Sequence, residues 1–180
     1  MFDSTQNIWI ETERLIIKSP SMEDFPEVFK MKCDKDVMKF TGGVTKLSYE
    51  EEISNYFKRI NNFGIDNNYI FSVIEKKSNK YIGYCGFQFS DIIGNIEFLY
   101  GFSKSSWGNG YGKEAAINVV SYGFKDLKLD EIFAAVNPLN KASEAILNHI
   151  GLIYISKIDW TKKGKVNLYS MKKEEFLLTE

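Results

Sequence analysis

The chain has 180 residues, of which 44% are apolar and 26% charged, with a formal net charge of -1 at pH 7. Such a chain can bury a sizeable core, and its balanced charge excludes a protein held to nucleic acid or membrane by bulk charge. Cys33 and Cys85 are too few and too unpatterned for a disulfide framework or a metal site, which points to a reducing compartment. The opening MFDSTQNIW has no basic region followed by an apolar run, and no apolar stretch is long enough to span a bilayer. A cytoplasmic location is the expectation.

In chain order, the pattern predicts a strand over 14–18 and a helix over 23–32. Ser48 followed by Glu51 reads as a capping box. The helix behind it places Ile53, Tyr56, Phe57 and Ile60 on one face. Gly64 to Asn68 is loop by composition. Segments 69–75, 81–89 and 95–102 read as strands with short connections, hence antiparallel. A helix over 110–127 buries Ala116, Val120, Gly123, Phe124 and Leu127. A strand over 131–136 follows, then a helix over 141–150 ended by Gly151, and two strands close the chain. The strand–helix–strand unit over 95–136 requires a parallel pair inside an otherwise antiparallel sheet. The fold class is α/β (α+β): a mixed sheet with helices on both faces.

Tyr100 to Ala116, YGFSKSSWGNGYGKEAA, is the most informative segment. An apolar strand enters a polar loop, Gly108, Gly110 and Gly112 alternate, and a small-residue helix opens behind them. A helix start leaves amides without intrahelical partners, and its dipole favours anions, so phosphates dock there. Glycine allows close approach and a tight turn. An ordinary glycine-rich turn has the same composition. A P-loop would need Gly at Trp107 and Ser or Thr at Glu114, and a dinucleotide fingerprint would need Gly at Lys113, so both fail.

Trp107-Gly108-Asn109-Gly110-Tyr111-Gly112 resembles the pyrophosphate loop of the GNAT acetyltransferases, with Trp in place of the usual Gln or Arg. That variant is similar to the subgroup of ribosomal-protein N-terminal acetyltransferases. ETERLIIKSPSMEDFPEVFKM, IGYCGF, NPLNKASEAILNHIGL and GKVNLYSMKKEEF resemble further segments of the subgroup, in its order. The resemblance implies one acetyltransferase domain over 1–180 (core 11–176), with the sheet splayed at its parallel pair. It implies acetyl-CoA as cosubstrate, no metal, and an amine acceptor such as a ribosomal or other protein N-terminus. Backbone groups of Tyr100, Gly101 and Phe102 would meet the pantetheine arm, Gly108, Asn109, Gly110, Tyr111, Gly112 and Lys113 would hold the pyrophosphate, and the Asn140 amide would contact the cofactor. Lys113 also reads as a solvated lysine, and Asn140 as a helix-start residue.

Many members carry a tyrosine where this chain has Leu147, and some a glutamate where it has Ala135. Ser143 matches the subgroup's proposed proton donor to the leaving thiolate, although a helix-start serine also serves as a structural group. Glu97 is the candidate base, perturbing in an apolar strand unless paired or solvated. A salt bridge at the strand's edge is the alternative, and members using a glutamate in this strand align it with Ile96. His149 reads as a surface residue, and Cys85, Tyr69, Phe71, Phe87 and Phe89 as core. Trp9, Phe40 and Trp160 are candidates for an acceptor pocket, and 162–165 for a hairpin tip. A small-molecule amine acetyltransferase (polyamine, aminoglycoside or amino acid) and an inactive CoA-binding module are the other readings. Oligomeric state is open, a homo-oligomer included.

Overall fold

A computed structural model describes residues 9–160 and 164–177. The predicted first strand forms as β2 (Leu15–Lys18), and it pairs antiparallel with a three-residue strand the pattern is too short to reveal, β1 (Trp9–Glu11). A 3-10 turn over Met22–Asp24 leads into α1 (Phe25–Cys33), whose Pro26 sits in the first turn, where no amide donor is missed. The predicted capping box starts α2 (Tyr49–Asn61): the Glu51 amide donates to Ser48 Oγ at 3.2 Å, and the Ser48 amide to Glu51 Oε2 at 2.8 Å. The predicted apolar face of α2 needs correction. Tyr56 is buried, but Phe57 is 54% exposed, and Glu52 takes an inward position. The reason is an ion pair, because Glu52 reaches Lys32 of α1 and accepts from Thr45 as well.

The three central strands are β3 (Tyr69–Glu75), β4 (Lys80–Ser90) and β5 (Asn95–Phe102), antiparallel as their short connections predict. Next come α3 (Tyr111–Lys125), β6 (Glu131–Val136), α4 (Lys141–His149), β7 (Ile153–Asp159) and β8 (Lys165–Lys172). A short helix, α5 (Lys173–Leu177), lies where the sequence suggests only a tail. The eight strands form one sheet in the order β1-β2-β3-β4-β5-β6-β8-β7. Every pairing is antiparallel except β5 with β6. Among the described residues, no helix is long and apolar enough to cross a membrane.

Each sheet face carries its own core. On one face Phe71, Phe87 and Phe98 pack against Ala115, Ala116, Val119 and Phe124 of α3. Small residues let this helix lie close, and each large side chain so buried contributes about 1.5–3 kcal/mol. On the other face Phe25, Val28 and Met31 of α1 and Tyr56 of α2 cover Ile74 and Tyr81. Phe71 and Phe87 are core as expected, and Cys85 is fully buried, which pushes its thiol pKa up and keeps it inert. Phe89 is not core: near the β4–β5 turn it is 51% exposed.

Candidate active site

The alternating glycines form the turn from β5 into α3. Gly108 and Gly110 have φ of 78° and 80°, the left-handed region closed to most side chains. Gly110 is the N-cap of α3 and no side chain caps the helix, so its first-turn amides are open to an anionic ligand. Trp107 explains the departure from Gln or Arg: its Nε1 donates to the Phe102 carbonyl at 2.9 Å and closes the end of β5. Asn109 Nδ2 donates to the carbonyls of Ser106 and Trp107. Lys113 is exposed in the first helical turn. Tyr111 points its hydroxyl away from the loop, onto Glu75 of β3.

Arg14, which sequence reasoning passed over, braces this loop from the residue before β2. Its Nε donates to Glu114 Oε2 at 2.7 Å, its Nη1 to the Asn109 carbonyl at 2.9 Å, and its guanidinium lies 4.8 Å from the Tyr111 ring centre. Burial would raise the Glu114 pKa, but hydrogen bonds from Thr12 and Arg14 outweigh it and hold the carboxylate below its usual range. With the folded pKa depressed, this contribution to stability is present above the ordinary glutamate range and is lost as pH falls through the folded value.

Beyond the loop, the β5–β6 ladder opens. Its register has one pair, Glu97 opposite Phe133. Past Glu97 the edge of β5 facing β6 has no paired strand among the described residues, leaving backbone groups able to pair with an extended, amide-rich ligand. A cleft of about 280 Å³ occupies the opening, lined by residues from both sheet faces. Alternation puts Glu97 and Gln88, register partners, on the α1/α2 side, while Phe98, Tyr100 and Phe102 face α3 and α4. The cleft therefore passes through the sheet. Gly101 has a packing reason of its own: a Cβ there would lie 2.7 Å from the Tyr84 ring.

Glu97 is 8% exposed and accepts from Gln88 Nε2 at 3.2 Å. Ile96, the position that aligns with other members' glutamate, faces the α3 core instead. Across the sheet, Asn140 caps α4 by accepting from the Ser143 amide at 3.2 Å. Ser143 Oγ lies 2.8 Å from the Tyr100 hydroxyl, which also donates to the Ser143 carbonyl at 2.9 Å. Leu147 and Ala135 line the same cleft and bring no acid or base to it. Phe40 and Trp160 line it too, whereas the Trp9 side chain and Lys162 and Lys163 of the expected hairpin tip lie outside the described residues. His149 is exposed in the last turn of α4, as predicted. Sequence reasoning also missed Gln88, whose place opposite Glu97 is set by the β4–β5 register. The Tyr100 phenol carried no local signal.

Comparison with known proteins agrees with this geometry. The profile of the family described as Acetyltransferase (GNAT) domain matches residues 14–153. An uncharacterized N-acetyltransferase p20 of Bacillus licheniformis is 30% identical over 92% of this chain and 96% of its own length. The spermidine N-acetyltransferase of Vibrio cholerae, solved with CoA and spermine, superposes with a TM-score of 0.77 at 16% identity, over 92% of this chain and 99% of the other. The ribosomal-protein-S5-alanine acetyltransferase of Vibrio fischeri superposes with a TM-score of 0.77 at 16% identity, over 94% and 99%. One fold thus serves a polyamine and a protein substrate in these neighbours. Through the splayed sheet, the glycine loop and a family match across most of its length, this chain belongs to the GNAT acetyltransferases.

Proposed function

We propose that the chain transfers an acetyl group from acetyl-CoA to a monocationic primary amine, with a protein or peptide N-terminus ahead of a small molecule. One observation supports this acceptor class most: of the described residues that line the cleft, Glu97 has the only charged side chain. An ammonium group entering there meets one buried carboxylate between the aromatic walls of Phe40, Tyr84 and Trp160. A polyamine brings several cations and would need several carboxylates to match them. An α-amino group, with an ordinary pKa near about 8 against about 10 for an alkyl amine, also needs less help to lose its proton.

In this reading Gly108 to Lys113 receive the pyrophosphate, and the free edge of β5 at Tyr100 and Gly101 receives the pantetheine amides. The Phe102 carbonyl is already engaged by Trp107. Asn140 Oδ1 accepts from the Ser143 amide, and its Nδ2 is available to donate to the cofactor. Glu97, held by Gln88, takes the amine proton through a water. The amine nitrogen bonds to the thioester carbon, a backbone N–H of β5 faces the oxyanion, and the C–S electron pair leaves with sulfur. Ser143 donates its proton to that sulfur and regains one from solvent water as the thiol departs, while Glu97 releases the amine proton to solvent. A buried thiol and a single exposed one, Cys33, suit a reducing cytoplasm, where we place the enzyme.

A thiol-release assay over peptides with free N-termini, spermidine and aminoglycosides tests the reading. Peptides should exceed spermidine in kcat/KM by at least about tenfold, a difference of roughly 1.4 kcal/mol. Faster turnover of spermidine would overturn the ordering, and no thiol release with any amine would leave a binding module. In the same reading Arg14→Ala loosens the loop without touching the cleft. Acetyl-CoA Kd should rise about fivefold, the scale of one or two lost hydrogen bonds, with kcat unchanged; titration calorimetry and saturation kinetics check it.

A further inference from the structure

We propose that the Tyr100 phenol positions Ser143 for the leaving-group step by donating to its Oγ, which keeps the single Ser143 proton for the departing sulfur. This rests on the reading of Ser143 as the donor and names the group that orients it. The Tyr100 hydroxyl lies 2.8 Å from Ser143 Oγ and 2.9 Å from the Ser143 carbonyl. A carbonyl only accepts, so the phenol hydrogen is directed toward the pair of oxygens at this residue. Two arrangements satisfy the distances. The phenol can share its hydrogen between both oxygens, leaving the serine hydrogen free, or serve the carbonyl alone while Ser143 spends its hydrogen on the phenol.

The first arrangement is the one assigned. Burial pushes the phenol pKa up, so Tyr100 remains a protonated donor. Its ring is held by Phe98 and Phe102, with centroids 5.4 and 6.4 Å away. The Ser143 amide is fixed by Asn140, and one turn further along α4 the cleft is lined by the apolar, buried Leu147. A hydroxyl that accepts one hydrogen bond donates the next more strongly. When the C–S bond breaks and its pair passes to sulfur, the Ser143 O–H can then meet the thiolate, while the amine proton leaves through the water at Glu97.

The test is a double-mutant cycle on the full chain, reading acetyl-CoA Kd and single-turnover rate with a peptide acceptor. Tyr100→Phe should lower the rate about tenfold with Kd unchanged within about twofold. Ser143→Ala should lower it at least as far, and the double variant should be no slower than Ser143→Ala alone. A Tyr100→Phe rate at or above wild type, with Ser143→Ala slow, would show the serine proton tied to Tyr100 and overturn the inference while leaving Ser143 as donor. A fully active Ser143→Ala would remove the donor reading and this inference with it. If Tyr100→Phe does not fold, 3-fluorotyrosine placed at position 100 keeps the shape and strengthens the donor. A rate at or above wild type then supports the assignment, and a lower one contradicts it.

Discussion

Glu97→Gln is expected to lower kcat by about 10²- to 10⁴-fold, the usual range for losing a general base, with acetyl-CoA affinity nearly unchanged. The substitution keeps size and hydrogen-bonding capacity, and Glu97 lies on the α1/α2 side of the cleft, away from the glycine loop. Glu97 is 8% exposed in a strand otherwise built for a core, and it is hydrogen-bonded to Gln88. Pre-steady-state kinetics beside calorimetry separates the cases. If Glu97 served only to pair with Gln88, the variant would lose stability and keep its rate.

Gly110→Val should be as damaging through the other substrate. At φ 80° a β-branched side chain is strained, at about 1–3 kcal/mol, and its Cβ would lie 3.4 Å from Arg14 Nη2. The loop then cannot keep its first-turn amides convergent. Losing two charge-assisted hydrogen bonds at roughly 1.5–3 kcal/mol each raises acetyl-CoA Kd by at least about 100-fold. Thermal denaturation should show a folded variant melting several degrees lower. Gly112→Val is a poorer probe, because its Cβ would lie 2.9 Å from Ile146 Cδ1 and mix a packing cost into the result. A folded Gly110→Val protein with wild-type affinity would exclude the loop as the anion site.

Local chemistry made much of this molecule legible before any coordinates. The Ser48 capping box, the β4–β5 hairpin and the parallel β5–β6 step each rest on residues close in sequence or on a topological rule. The strand-to-helix turn at 108–110 was legible because glycine at positive φ leaves a composition signature. What stayed hidden depends on distant partners. Phe57 reads as inward until Glu52 finds Lys32 of another helix, and Phe89 reads as core until its place beside the β4–β5 turn leaves it exposed. The face of Glu97 hinged on a one-residue register that only the sheet decides. Tyr100 and Ser143 stand 43 residues apart, and Arg14 and Glu114 100 apart; neither pair has a spacing that periodicity can detect.

The most direct measurement is a crystal structure of the full chain with a bisubstrate analogue, CoA joined through an acetyl bridge to the amino group of a short peptide. The expected density has the pyrophosphate on the amides of Gly110 to Lys113, the sulfur within hydrogen-bond reach of Ser143 Oγ, and the peptide nitrogen beside Glu97 on the α1/α2 side of the sheet. An analogue seated instead in the hollow between α3, α4 and α5, near His149 and Phe176, would contradict it. So would a peptide nitrogen lying on the α3/α4 side, away from Glu97.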